Sequence, residues 1–168
     1  MNYTYVYTSP LGKIIMTSSG TALTGLYFEG QKFFPQTLSE QYEEKLLSVF
    51  EDTISWLDIY FSGKEPDFLP ALSPNGTPFR RSVWDILLTI PYGKTMTYGE
   101  IARIIAQNRG NKKMSAQAVG GAVGHNPVSI IIPCHRVVGE NGSLTGYAGG
   151  IDKKRWLLEF ESRILRNH

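Results

Sequence analysis

The sequence predicts an α+β protein. A small N-terminal domain of antiparallel sheet plus helix, residues 1 to 76, is followed by a mainly helical domain, residues 77 to 168, that contains a helix-turn-helix. Three observations predict this. Short strand-like runs separated by turn residues fill the first 28 positions, and an apolar stripe with helical spacing comes after them. Past a proline-rich stretch, successive segments each open on a helix start signal.

The runs Tyr3 to Tyr7, Lys13 to Thr17 and Leu23 to Phe28 are broken by Pro10-Leu-Gly12 and Ser18-Ser-Gly20, which is turn chemistry between strands of a small meander. From Ser39 a helical pattern takes over, with Leu47, Phe50, Ile54, Leu57 and Phe61 spaced 3, 4, 3, 4 as a core-facing stripe. Gly63, Pro66, Pro70 and Pro74 mark Ser62 to Asn75 as a linker. Thr77-Pro78 then supplies an N-cap and a proline at the first helical position. Phe79, Val83, Ile86, Leu87 and Ile90 form the apolar face, and Pro91-Tyr-Gly93 the stop. Thr97 and Glu100 have capping-box spacing ahead of Ile101, Ala102, Ile104 and Ile105. The polar turn Gln107 to Lys113 leads to Ser115, the N-cap expected for a third helix through Val123.

Charge is distributed unevenly. Residues 1 to 77 hold 4 Lys/Arg against 9 Asp/Glu, whereas residues 78 to 168 hold 13 against 6, so a net +2 conceals an acidic half and a basic half. The basic half carries the helix-turn-helix, with Arg109, Lys112 and Lys113 at its turn, and points to nucleic-acid contact there. An ordinary solvated surface is the bland alternative. The third helix is built from small residues: Ser115, Ala116, Ala118, Gly120, Gly121 and Ala122. Glycine costs a helix about 1 kcal/mol relative to alanine, so adjacent glycines call for a reason. Close approach to a narrow groove, such as the roughly 6 Å minor groove of DNA, is one reason, and close helix packing inside the protein is the other.

The chain has a single cysteine, Cys134, in IIIPCHRVVG. One cysteine cannot form an intrachain disulfide, which fits a reducing compartment. Ile130 to Ile132 reads as a buried strand stopping at Pro133, which would present the thiol at a strand end. His135 and Arg136 follow it, and a cationic or hydrogen-bonding environment lowers a thiol pKa toward neutrality. Residues i and i+1 of an extended chain face opposite ways, so a bridging water is the expected link between Cys134 and His135. A lone buried Cys is otherwise a small hydrophobe.

The stretches TPFRRSVWDILLTIPYGKTMTYGEIA, QAVGGAVGHNPVSIIIPCHRVVGENGSLTGYAGG and KRWLLEFE resemble the O6-alkylguanine-DNA alkyltransferases, over Thr77 to Glu161 with little interruption. PCHRV, GYAGG and WLLEFE in that order are far more specific than any one of them. The first 76 residues match only in layout. The resemblance implies a winged-helix-like DNA-binding domain that flips an O6-alkylguanine, and also an O4-alkylthymine, through the minor groove. The alkyl group passes irreversibly to Cys134, once per molecule and without a cofactor.

It also implies residue roles. His135 deprotonates Cys134 through water and Glu161 orients the imidazole, the nucleophile-base-acid logic. Tyr98 donates a hydrogen bond to the departing guanine, and Asn126 braces the turn behind the thiol. Arg136 ties that turn together, while Tyr147, Ala148, Gly149 and Gly150 form a lid over the flipped base. The helix from Ser115 through Ala116, Gln117, Ala118 and Gly120 enters the minor groove. Read without the family, Glu161 is a solvated helix charge and Tyr98 a packing residue at a helix start.

Gln117 departs from the pattern, because most family members carry an intercalating arginine there. Glutamine is shorter and neutral, so weaker extrusion from duplex DNA is expected. A non-catalytic lesion-binding relative would lack Cys134. A cysteine hydrolase would explain Cys134, His135 and Glu161 but neither the basic half nor the small-residue helix. No metal is expected, since no Cys or His precedes His125 and His168 is terminal. With no long apolar run and no charged-then-apolar leader, a cytoplasmic monomer that does not enter a membrane is the expectation.

Overall fold

A computed structural model describes residues 1–31, 42–110 and 112–166. The chain divides into two compact units, Met1–Asn75 with Pro127–Ser129 and Gly76–Asn126 with Ile130–His168.

In the first unit β1 (Asn2–Ser9), β2 (Gly12–Ser18) and β3 (Leu23–Phe28) form the expected antiparallel meander, with Tyr5 opposite Met16 and Met16 opposite Leu26. A fourth strand, β4 (Tyr42–Glu44), pairs parallel to β1 and completes the order β3-β2-β1-β4. This corrects the helical pattern expected from Ser39. Ser39 itself lies outside the described residues, Tyr42–Glu44 is extended, and the helix, α1, spans Ser48–Phe61. Without β4, the outer edge of β1 would be unpaired, and satisfying its backbone outweighs the weak local preference for helix.

Helix α1 buries Val49, Phe50, Thr53, Trp56, Leu57 and Tyr60, whereas Ile54 and Phe61 of the expected stripe are only partly covered. Thr53 is tolerated in that interface because its hydroxyl donates to the Val49 carbonyl at 2.7 Å. Tyr5 and Phe50 stack with centroids 6.4 Å apart, and the Tyr7 hydroxyl donates to Asp58 at 2.7 Å. Burial and Asp58 together push the Tyr7 phenol well above its ordinary value. The segment read as a linker is pinned at one point. The Leu23 N–H donates to the Ala71 carbonyl at 2.7 Å and the Ser73 N–H to the Leu23 carbonyl at 2.8 Å. Pro127–Ser129 pairs with the same strand, Leu26 donating to Pro127 at 2.8 Å and Ser129 to Leu26 at 3.0 Å.

The second unit starts with α2 (Pro78–Leu87), capped by the Thr77 hydroxyl, which accepts from the Arg80 N–H at 3.2 Å. Val83 and Leu87 are buried as expected, together with Trp84, which the expected face omitted. The Trp84 indole N–H donates to the Ala122 carbonyl at 2.9 Å, so a side chain with one polar atom can be wholly internal. The helix stops at Leu87, short of Pro91, and Ile90 is buried from the following turn. After β5 (Met96–Thr97) come α3 (Tyr98–Asn108) and α4 (Ala116–Gly124). Their N-caps are Thr97 and Ser115, which accept from the Glu100 and Ala118 N–H groups at 3.1 Å each. β6 (Val137–Val138) pairs parallel to β5. The last helix, α5 (Ile151–Arg166), turns Lys154, Leu157 and Glu161 inward at helical spacing. The protein is thus α+β, with a sheet-and-helix unit and a mainly helical one. No helix among the described residues is long and apolar enough to cross a membrane.

Replacing Thr77 with Ala leaves an α2 N–H unsatisfied and is expected to lower stability by about 1 kcal/mol, with Thr77→Ser close to neutral. Urea unfolding of the three proteins checks this.

Candidate active site and nucleic-acid face

Cys134 does not sit at the end of a strand. Ile130 to Ile132 is buried as expected but forms a turn, with Ile130 at φ 68, and Cys134–Arg136 is a single 3-10 turn. Short apolar runs signal burial without specifying conformation, and here side-chain and local backbone bonds replace a strand partner. The Asn126 amide donates to the Ile132 carbonyl at 2.8 Å, and the Cys134 N–H donates to the same oxygen at 2.7 Å. Pro133, at φ −80 and ψ 65, is the centre of that inverse γ-turn. A β-branched residue in the left-handed region costs on the order of 1–3 kcal/mol, strain held in place by the bonds around it.

His135 is completely buried, and its Nε2 lies 2.6 Å from Glu161 Oε2. A carboxylate can only accept, so Nε2 carries the proton and Nδ1 is the basic nitrogen. Nδ1 has no protein partner among the described residues. Glu161 also accepts from Arg136 Nε at 2.9 Å, from Arg136 Nη2 at 3.1 Å and from the Gly93 N–H at 3.1 Å. Arg136 Nη1 donates to the Ile90 carbonyl at 2.9 Å, and its guanidinium lies 5.5 Å from the Tyr92 ring centroid. Burial alone would raise the Glu161 carboxyl, but His135 and Arg136 outweigh it and hold it well below the ordinary glutamate range. Burial lowers His135, against the opposing pull of Glu161. Glu161 is therefore the anion, Arg136 its counter-charge, and His135 a neutral base.

The thiol departs from expectation. Burial pushes Cys134 up, and hydrogen bonding from Asn126 and the charge of Lys154 only partly offset this. Arg136 does not activate it, because its guanidinium is engaged by Glu161 and Ile90. The resting group is a neutral thiol beside a neutral base. Lys154 was not singled out from the sequence. It is fully buried, donates from Nζ to the Val137 carbonyl at 2.6 Å, and forms no ion pair among the described residues. Burial lowers its pKa, while Cys134 acts in the opposite direction. Its spacing from Leu157 and Glu161 on one helical face was the available signal.

The structure brings Asn126, Cys134, His135, Arg136 and Glu161 together. Tyr98, the first residue of α3, is half-buried; its hydroxyl lies 2.7 Å from the Thr145 hydroxyl, and burial raises its pKa. Tyr147, Ala148 and Gly149 are partly covered and run straight into α5, with the Gly150 N–H donating to Tyr147 at 2.9 Å. On α4, Ala116, Gln117, Ala118 and Gly121 are exposed, while Val119, Ala122 and Val123 are buried. A Cβ at Gly121 would meet nothing within 4 Å, and one at Gly120 would make only ordinary contact with the Tyr98 ring at 3.9 Å. Close packing inside the described protein therefore does not account for these glycines. Ser115, Lys112, Lys113 and Arg109 are exposed nearby, the last with its guanidinium 5.3 Å from the Phe79 centroid. No group of three or more His, Cys, Asp or Glu among the described residues is placed to hold a metal. His168 lies outside those residues.

A helix-turn-helix with a small-residue exposed face, joined to a buried cysteine-histidine-glutamate centre, defines a DNA-binding protein with a nucleophile of its own. Residues 78–163 match the DNA binding domain of 6-O-methylguanine DNA methyltransferase, and residues 1–73 match its ribonuclease-like domain. A methylated-DNA–protein-cysteine methyltransferase of Haemophilus influenzae is 42% identical over 95% of this chain and 85% of its own. One from Methanosarcina acetivorans is 43% identical over 95% and 97%. The crystal structure of Mycobacterium tuberculosis OGT in complex with DNA is 41% identical over 96% of this chain and 94% of that one, with a TM-score of 0.82. The chain belongs to the 6-O-methylguanine DNA methyltransferase family.

Replacing Glu161 with Gln strands the buried Arg136 charge and is expected to cost about 3–5 kcal/mol at neutral pH. Because the folded state depresses this carboxyl, its stabilisation is complete above the ordinary value of 4.5 and is lost as pH falls below it. Unfolding free energy measured from pH 7 to pH 3 should fall more steeply for the native protein than for Glu161→Gln.

Proposed function

We propose that this protein repairs alkylated DNA by moving the alkyl group of O6-alkylguanine, and of O4-alkylthymine, onto Cys134. The carrying observation is the buried 3-10 turn in which the thiol-bearing residue is followed by a histidine whose Nε2 is tied to Glu161 and whose Nδ1 has no protein partner among the described residues. Family membership and a DNA-bound relative support DNA as the partner.

The target atom is stacked inside a duplex, so the nucleotide is flipped out, at a few kcal/mol, as α4 enters the minor groove. Gln117 stands where the flipped base leaves a gap, and Ala116, Ala118, Gly120 and Gly121 let the backbone approach. Ser115 caps the helix at the groove, while Arg109, Lys112 and Lys113 meet phosphates. His135 Nδ1 takes the thiol proton through a water. Sulfur then bonds to the alkyl carbon as its bond to O6 breaks. The departing guanine carries the electron pair, and the Tyr98 hydroxyl stabilises it by hydrogen bonding. Lys154 lowers the cost of the transient thiolate. Asn126 and Arg136 hold the turn, and Tyr147, Ala148 and Gly149 cover the base. The thioether has no second cysteine to resolve it, so each molecule reacts once and no cofactor is required. In this reading residues 77–168 form the DNA-binding and alkyl-acceptor domain, residues 1–76 form a supporting domain, and the protein acts as a cytoplasmic monomer.

Incubation with duplex oligonucleotide containing O6-methylguanine should raise the intact mass by about 14 Da, once, at Cys134, and Cys134→Ser should show no gain. Tight lesion binding without a mass gain would leave a lesion-binding protein, and repeated turnover of an ester would leave a hydrolase. Gln117→Arg is expected to raise the rate on duplex substrate; an unchanged rate would refute the role given to position 117. Burial lowers His135 from 6.5, so the rate should hold its plateau below pH 6.5 and decline only when the imidazole protonates. Single-turnover rates between pH 5 and 8 read this directly.

A further inference from the structure

Tyr98 has two neighbours that fix it in different ways. Its ring lies 3.9 Å from where a Gly120 Cβ would stand, so the phenol rests along α4. Its hydroxyl is 2.7 Å from the hydroxyl of Thr145, in the loop between β6 and α5. Thr145 is itself held by shape. A Cβ at Gly139 would come within 3.3 Å of the Thr145 methyl and 2.4 Å of the Ser143 hydroxyl, so the glycine lets the loop close against it without displacing either side chain. The Gly139 N–H donates to the Ser143 carbonyl at 2.8 Å and closes that loop. With its methyl seated on Gly139, the Thr145 hydroxyl faces Tyr98.

We propose that Thr145 is a positioning residue for alkyl transfer, its hydroxyl donating to the Tyr98 oxygen so that the single phenolic proton points to the departing base. Proton count sets the direction of that bond. A tyrosine hydroxyl has one proton, and if that proton serves the leaving guanine, the partner at 2.7 Å must be the donor. A donor on the Tyr98 oxygen also stabilises charge there, and the Thr145 bond does lower the phenol against the rise that burial imposes. The inference rests on Tyr98 being the donor to guanine, as proposed above.

The test is a double-mutant cycle in single-turnover rate on O6-methylguanine duplex, with lesion affinity measured alongside. Thr145→Val keeps the methyl that packs on Gly139 and removes only the hydroxyl, while Thr145→Ser keeps the hydroxyl. The expected result is a fall of about threefold to tenfold for Thr145→Val with lesion affinity unchanged, and recovery in Thr145→Ser. In the Tyr98→Phe background Thr145→Val should have no further effect. An unchanged rate in Thr145→Val, or an equal fall in both backgrounds, overturns the proposal. An unchanged rate in Tyr98→Phe instead overturns the role of Tyr98. The tyrosine Cζ chemical shift at neutral pH then still reads whether Thr145 holds the phenol, moving in Thr145→Val and not in Thr145→Ser if it does.

Discussion

The second unit is organised around the carboxylate of Glu161. It is buried, which by itself would raise its pKa, yet Arg136 binds it with two nitrogens while the His135 Nε2 and the Gly93 N–H donate to it as well. These donors come from two places in the chain, the turn after α2 and the 3-10 turn, and they meet an acceptor supplied by α5. A buried ion needs all of them, since removing one partner leaves a charge in a low dielectric. The same requirement that holds α5 to the 3-10 turn also sets the tautomer of His135. Structural cohesion and base chemistry are thus one arrangement.

That arrangement leaves Cys134 protonated at rest. Burial opposes the thiolate, and the influences that favour it, Asn126, Lys154 and a backbone hydrogen bond, do not reverse this. A neutral thiol is a weaker nucleophile than its thiolate, so a group of this kind is less open to adventitious chemistry. The strained Ile130 and the inverse γ-turn at Pro133 show how the backbone is bent to present the sulfur. Asn126 supports that bend through the Ile132 carbonyl and acts on the sulfur as well.

Much of the fold was legible in local signals. The caps at Thr77, Thr97 and Ser115, and the turns that separate the first three strands, depend on residues within a few positions of each other. Pattern reading therefore finds them. It missed β4 because the partner of Tyr42–Glu44 is an edge more than thirty residues earlier. It misplaced Ile130 to Ile132 because an apolar run reports burial and not backbone conformation. It passed over Trp84, whose burial requires the distant Ala122 carbonyl, and Lys154, whose burial requires the Val137 carbonyl.

The glycines of α4 show the same division. Their cost to the helix was visible in the sequence, but whether they served internal packing or an outer surface was not, and only the open space beside Gly121 separates the two. By itself the sequence determined which residue types lie near the reactive thiol, where α2, α3 and α4 begin, and that one half of the chain is basic. The tertiary structure alone decided the ionisation of those residues. Charge state depends on burial and on partners brought from afar, here Arg136 and Glu161 around His135 and Lys154 beside Cys134, and neither quantity is a property of neighbouring residues in the chain.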